Sequence, residues 1–179
     1  MFVDVPALPP SITSGEVPVV CIAYAAATFE LSPTLIVATL KTEGGRVGME
    51  RRNANGTADL GPGQINEIWL PILKRHGIDR ASVRDDGCLN VWVLSWIMRS
   101  GINSTGNYWR GVGRYHSATM RPGRDLNGAY AARVWNQSVG LTKLEASWWG
   151  IPGLNSMITT TSLSTVADLL VAESGRQRR

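Results

Sequence analysis

Glu43 closes the run Lys41-Thr42-Glu43-Gly44-Gly45, at a point where the preceding helical pattern has to stop. A carboxyl in the last turn of a helix faces the negative end of the helix dipole. Apolar neighbours would desolvate it as well. Both effects disfavour the charged form, so the pKa is expected to rise. A carboxylic acid kept protonated near neutral pH is what a general acid in glycosidic cleavage requires. Position alone also fits a surface glutamate ahead of a Gly-Gly turn.

Downstream lies Asn53-Ala54-Asn55-Gly56-Thr57-Ala58-Asp59-Leu60-Gly61-Pro62-Gly63-Gln64-Ile65-Asn66, much of it in a Gly- and Asn-rich stretch over 46–63. Long ordered loops tend to be functional. Amides such as Asn55, Gln64 and Asn66 offer donors and acceptors to sugar hydroxyls and N-acetyl groups. Asp59 supplies a second carboxylate. Hydrolytic glycosidases usually pair two, about 5–5.5 Å apart for retention and roughly 6.5–9.5 Å for inversion. Asp59 is therefore either an auxiliary catalytic group or a turn residue that accepts from loop amides.

Other chemistries find little support. There is no Gly-rich phosphate loop, His-Glu-x-x-His pair or nucleophile elbow. Cys21 and Cys88 form no CxxC, and with His76 and His116 they lack metal-ligand spacing, so neither a metal nor a cofactor is expected. The two thiols leave open one long-range disulfide or two buried reduced cysteines. Arg51-Arg52 and the Arg176–Arg179 end read as solvated charge. A nucleic-acid module would need a denser basic face with interleaved aromatics.

Glu43-Gly44, the string Asn53-x-Asn55-Gly56-Thr57-x-Asp59-x-Gly61-x-x-Gln64-Ile65-Asn66, Cys88-x-Asn90-Val91 and Tyr115-x-Ser117 together resemble the lysozyme-like lytic transglycosylases. The similarity is to the small specialised group associated with conjugation, type IV secretion and related export machines. It spans about Cys21 to Val134. The resemblance implies a mainly α, lysozyme-like (α+β) fold with a small loop or β segment beside the active-site groove. It implies Glu43 as the single catalytic acid/base, and Gln64 and Asn66 as residues that hold the glycan and shape the site. Tyr115 and Ser117 match a short groove motif in which His116 replaces the family's usual Asn. Tyr130 resembles a tyrosine close to the catalytic Glu; from its own surroundings it also fits a core aromatic beside Val134. Cys21 and Cys88 match a disulfide of export-associated members. The implied substrate is peptidoglycan, the implied partners are components of a type IV secretion or conjugation machine, and the implied location is the periplasm or cell envelope. The setting of Asp59 also resembles the second-carboxylate segment of animal-type lysozymes, which keeps a two-carboxylate hydrolase as an alternative. An inactive module that binds peptidoglycan or scaffolds a complex is a third reading, against which the retained Glu43 argues.

The elements that must position these groups follow from the pattern. Residues 1–15 read as an extended arm, 16–140 as one lysozyme-like domain, and 141–179 as a tail with at most one short helix over Ser162–Ala172. Val17–Phe29 suits a buried helix. Ser32 as N-cap, Pro33 at N1 and Gly44-Gly45 as terminator bracket the helix that ends at Glu43. A hairpin or turn is expected around Asn53–Gly61. Ile65, Ile68, Trp69, Ile72 and Leu73 repeat at helical spacing to about His76, and Cys88–Met98, Gly106–Tyr115 and Leu126–Trp135 predict three more helices. Trp69 and Trp109, set in apolar helical patterns, fit the core as well as a sugar-stacking surface.

The 179 residues, 44% of them apolar, suffice for one real core, and 18 Lys+Arg against 14 Asp+Glu give a net charge of +4 that suits an anionic polymer. The longest apolar run, Val17–Phe29, falls short of the ~18 residues that cross a bilayer. It also lacks a basic n-region, since the first Lys or Arg is Lys41, so no ordinary signal peptide is expected in it.

Overall fold

In the computed structural model, residues 17–116, 126–139 and 141 are described. The expected arm (1–15), most of the expected tail and Ser117 lie outside them. Four alanines make α1 (Val19–Thr28) slim, and Val19, Ile22, Ala23, Ala25 and Ala26 go into the core. α1 stops at Phe29 and Glu30, whose φ of 51° turns the chain. The Arg99 guanidinium donates to the carbonyls of both residues and satisfies this helix end from a distant helix.

α2 (Pro33–Glu43) starts and ends where its signals place it: Ser32 is the N-cap, Pro33 opens the helix, and Gly44 adopts the left-handed conformation at φ 64°, its N–H donating to the Leu40 carbonyl. Thr34 through Leu40 are all buried, so α2 lies inside the domain. A three-stranded antiparallel sheet follows in the order β1 (Glu50–Arg52), β2 (Ala58–Leu60), β3 (Ile65–Asn66). Its register sets Arg51 opposite Asp59 and Asp59 opposite Asn66. The expected hairpin is there, closed by Asn55, whose side-chain Oδ1 accepts from both the N–H and hydroxyl of Thr57.

The helix expected from Ile65 begins later. Ile65 and Asn66 pair with β2, Glu67–Trp69 form a 3₁₀ turn capped by the Asn66 side chain, and only Leu70–Lys74 (α3) is α-helical. A short surface helix, α4 (Arg80–Asp85), was not anticipated. It buries only Val83 and so leaves almost no apolar periodicity to read. α5 (Gly87–Thr105) is longer than Cys88–Met98. Gly106, expected to open the next helix, instead terminates α5 at φ 62°. α6 then spans Tyr108–His116, and α7 spans Leu126–Val139, running past Trp135.

α5 is the axis of the fold. It carries the fully buried Val91, Val93, Leu94, Trp96 and Met98, and packs against α1, α4 and α6, while α7 packs against α2 and α6. Tyr24 stacks on Trp92 with ring centroids 4.9 Å apart, and Phe29 meets the same indole edge-on. Beside this aromatic cluster Cys21 and Cys88 are disulfide-bonded, with Cα atoms 5.1 Å apart. The result is a mainly helical, lysozyme-like single domain with a small sheet. No single helix among the described residues is long and apolar enough to cross a membrane.

Candidate active site

The C-terminus of α2 delivers Glu43 to the point where the sheet and α7 meet it. Two glycines make this approach possible for different reasons. Gly44 supplies the left-handed turn, whereas Gly45 supplies space: a Cβ there would collide with the Gly61 carbonyl and lie 2.7 Å from the Pro62 carbonyl and 2.8 Å from Gln64 Nε2. The loop Gly61–Gln64 therefore rests directly on the backbone that follows Glu43.

α7 brings Tyr130 to the same point. Its ring is 1% exposed, and its hydroxyl donates to Glu43 Oε1 at 2.5 Å. The alternatives open in the sequence, core aromatic or neighbour of Glu43, are both met, with Val134 also fully buried on the same helix. Burial pushes the Glu43 pKa up to about 7; the Tyr130 hydrogen bond holds it down, the Asp59 charge pushes it up, and Arg133 and Arg51 pull it down. Desolvation outweighs the two cations, so the carboxyl keeps its proton far closer to neutrality than an ordinary glutamate. Burial and the Glu43 charge drive the Tyr130 phenol far above its ordinary pKa, which fixes it as a neutral donor.

The structure brings Asp59 to this site as well, from β2. Its Oδ1 accepts from Asn66 Nδ2 at 2.7 Å, and its charge acts on Glu43, Tyr115 and His116. Asn66 is fully engaged within the protein: Nδ2 also donates to Thr57 Oγ1 at 3.0 Å, and Oδ1 caps the 3₁₀ turn through the Ile68 N–H. Gln64 is 7% exposed and lies under the loop, with φ 49° and Nε2 donating to the Gly61 carbonyl at 2.9 Å. Its Oε1 is buried with no hydrogen-bond partner. Both amides thus hold the loop itself.

Tyr115, on α6, donates its hydroxyl to the Gly63 carbonyl at 2.6 Å, and its ring faces Tyr130 at 6.3 Å. Burial, then the Glu43 and Asp59 charges, raise its pKa well above the ordinary value. Trp69 packs edge-on against Trp96, and Trp109 against Trp135; both rings lie against the core.

Three residues at the site had no assigned role in the sequence reading. Asn90, fully buried on α5, accepts from the Gly63 N–H at 2.7 Å and donates to the carbonyls of Leu60 at 2.9 Å and Val83 at 2.8 Å. A single Asn among Val91, Trp92 and Leu94 is itself a signal, because a buried amide needs partners. Arg133 sits over the Tyr130 ring, its guanidinium carbon 5.6 Å from the centroid. Arg51, exposed and opposite Asp59 in the sheet, acts on Glu43 through its charge. No group of three metal-ligating side chains gathers among the described residues.

The arrangement can hold one carboxyl protonated near neutrality, stabilise its anion through Tyr130 and place a second carboxylate in electrostatic range. No family model matches the chain. It is 28% identical over 127 residues to the invasion protein IagB of Salmonella typhi, covering 70% of this chain and 79% of that one. It is 29% identical over 116 residues to the IagB of Salmonella typhimurium, covering 64% and 72%. A peptidoglycan-binding-like protein of Escherichia coli O157:H7 is 26% identical over 133 residues, covering 70% and 80%. The chain is a distant homologue of these proteins.

Proposed function

We propose that this protein is a peptidoglycan lytic transglycosylase, with residues 16–140 as its catalytic unit. The observation that carries the reading is Glu43, one largely buried carboxyl pushed up to about 7 and bonded by a neutral phenol. Protonated Glu43 gives its proton to the glycosidic oxygen between N-acetylmuramic acid and N-acetylglucosamine, and the C1–O bond breaks as that oxygen leaves as a hydroxyl. The Glu43 anion is stabilised by the Tyr130 hydrogen bond. It then takes the proton of the muramic C6 hydroxyl as that oxygen bonds to C1, closing a 1,6-anhydro ring and restoring the acid. Gln64, Asn66 and Tyr115 shape the loop beside it, and Ser117 completes the short motif after Tyr115. Peptidoglycan is supported as substrate by the relatives named for binding it and by the net positive charge, which suits its carboxylates. The protein would then work in the periplasm or cell envelope, opening the wall locally for a secretion or conjugation machine.

The second reading is a hydrolase in which Asp59 joins Glu43, and the charge of Asp59 on Glu43 is the observation in its favour. Digestion of purified peptidoglycan followed by mass spectrometry of the sugar ends separates the two. Anhydro ends, with cleavage nearly abolished in Glu43→Gln and reduced about 10-fold in Asp59→Asn, less than the 10²–10⁴ typical of acid–base catalysis, support the transglycosylase. Reducing ends, with both variants equally inactive, establish the hydrolase. Binding without any cleavage by the wild type would leave a peptidoglycan-binding module.

A further inference from the structure

The last residue of α6, His116, plays no part in the chemistry above, yet it touches it. Its imidazole lies on the Tyr130 ring with centroids 5.0 Å apart and planes inclined by only 5°. Tyr130 in turn makes the 2.5 Å hydrogen bond to Glu43. Tyr130 also meets Tyr115 at 6.3 Å, with planes inclined by 28°, and Arg133 at 5.6 Å, both longer contacts than the imidazole's. Among the described residues the imidazole is the ring that lies closest and flattest on Tyr130. An aromatic pair contributes beyond its buried area through such geometry.

We propose that His116 is a positioning residue: stacked on Tyr130, it holds that phenol at the angle from which its hydroxyl meets Glu43. The assignment rests on the proposed acid/base role of Glu43. The charged and titratable groups around the pair are Arg51 and Asp59 from the sheet, Arg133 from α7, Tyr115 from α6 and Glu43 from α2. Burial and then Arg133 disfavour the imidazolium, so the stacked ring is neutral near pH 7 and adds no further cation beside Glu43. His116 as a residue is exposed at the end of its helix and lies outside the core cluster.

A double-mutant cycle with Tyr130→Phe tests this. Two quantities are read in wild type, His116→Ala, Tyr130→Phe and the double variant: kcat for peptidoglycan cleavage, and the titration midpoint of Glu43 by carboxyl NMR. His116→Ala should lower kcat about 5-fold, the rate equivalent of one aromatic pair, with KM unchanged, and should move the Glu43 midpoint. Once the Tyr130 hydroxyl is gone, adding His116→Ala should change either quantity little, because its route to Glu43 is gone. His116→Phe, which keeps the stack, should restore both. Losses that multiply in the double variant, or a Glu43 midpoint unmoved by His116→Ala, would overturn the proposal. If the wild type leaves peptidoglycan intact, the transglycosylase reading fails on its own, and the NMR midpoints still decide whether His116 acts on Glu43 through Tyr130.

Discussion

Replacing Glu43 by Gln should make the protein more stable, and by an amount that depends on pH. In the folded chain Glu43 titrates at about 7 against an ordinary 4.5. The native state therefore holds this proton more tightly than the unfolded chain does. Below about pH 4.5 both states are protonated and the residue costs nothing. As pH rises toward 7 the unfolded carboxyl ionises while the native one resists, so stability falls; above 7 the loss is complete. At about 1.4 kcal/mol per pKa unit, the rise from 4.5 to about 7 amounts to roughly 3 kcal/mol. Gln has the same shape and can accept from Tyr130, but it cannot ionise. Urea unfolding at about pH 4 should find the two proteins nearly equal, and at about pH 8.5 should find Glu43→Gln ahead by about 3 kcal/mol. In a chain of this length that difference corresponds to roughly 6–12 °C in Tm. All other titrating groups cancel between the two proteins, so the pH dependence of the difference belongs to residue 43. A difference that stays constant across this range would refute the buried, proton-retaining Glu43 on which the mechanism depends.

The same ionisation should shape catalysis: kcat/KM for peptidoglycan cleavage should fall above about pH 7 as Glu43 loses its proton, and a plateau extending to about pH 9 would contradict this. Asn90→Ala strips partners from the Gly63 N–H and from the Leu60 and Val83 carbonyls, and should cost about 3 kcal/mol or more in urea unfolding, since each buried orphan costs about 1–3. Gly45→Ala forces the Gly61–Gln64 loop away from α2; cleavage should drop well before overall helicity does, and full activity in this variant would contradict the close contact. Replacing Cys21 and Cys88 with Ala opens a loop closed over 67 residues and should lower stability by about 4 kcal/mol in the chain-entropy model, measured by thermal unfolding under non-reducing conditions.

Where local signals were strong, the structure was readable from the chain. Ser32, Pro33 and Gly44 bracket α2 by cap chemistry that acts within a few residues, so the position of Glu43 at a helix end followed from sequence alone. Ile65 and Ile68 show what happens when two patterns share a residue. Their spacing is helical, but pairing with Leu60 draws Ile65 into the sheet before the helix can start. Gly106 was legible as a helix boundary but not as an end or a beginning, because a glycine marks both. The role of Asn90 depends on partners at Val83, Leu60 and Gly63, the farthest 30 residues away, and no local pattern encodes it. The amides of Gln64 and Asn66 were legible as residue types, but not their direction. One lies beneath the loop and the other is saturated by Thr57, Asp59 and Ile68. The contact of His116 with Tyr130 joins α6 to α7 and follows from how those helices cross.

The backbone of Gly63 is gripped on both sides of its Cα, its N–H by Asn90 of α5 and its carbonyl by Tyr115 of α6. It can shift only by breaking these bonds or by moving with the helices that carry them. This side of the site is therefore tied to the helical core, and its loop is expected to move with α5 and α6 and not as a separate flap. Under the proposed function, a glycan strand drawn past Glu43 would meet on this side a surface that keeps its shape from one cut to the next.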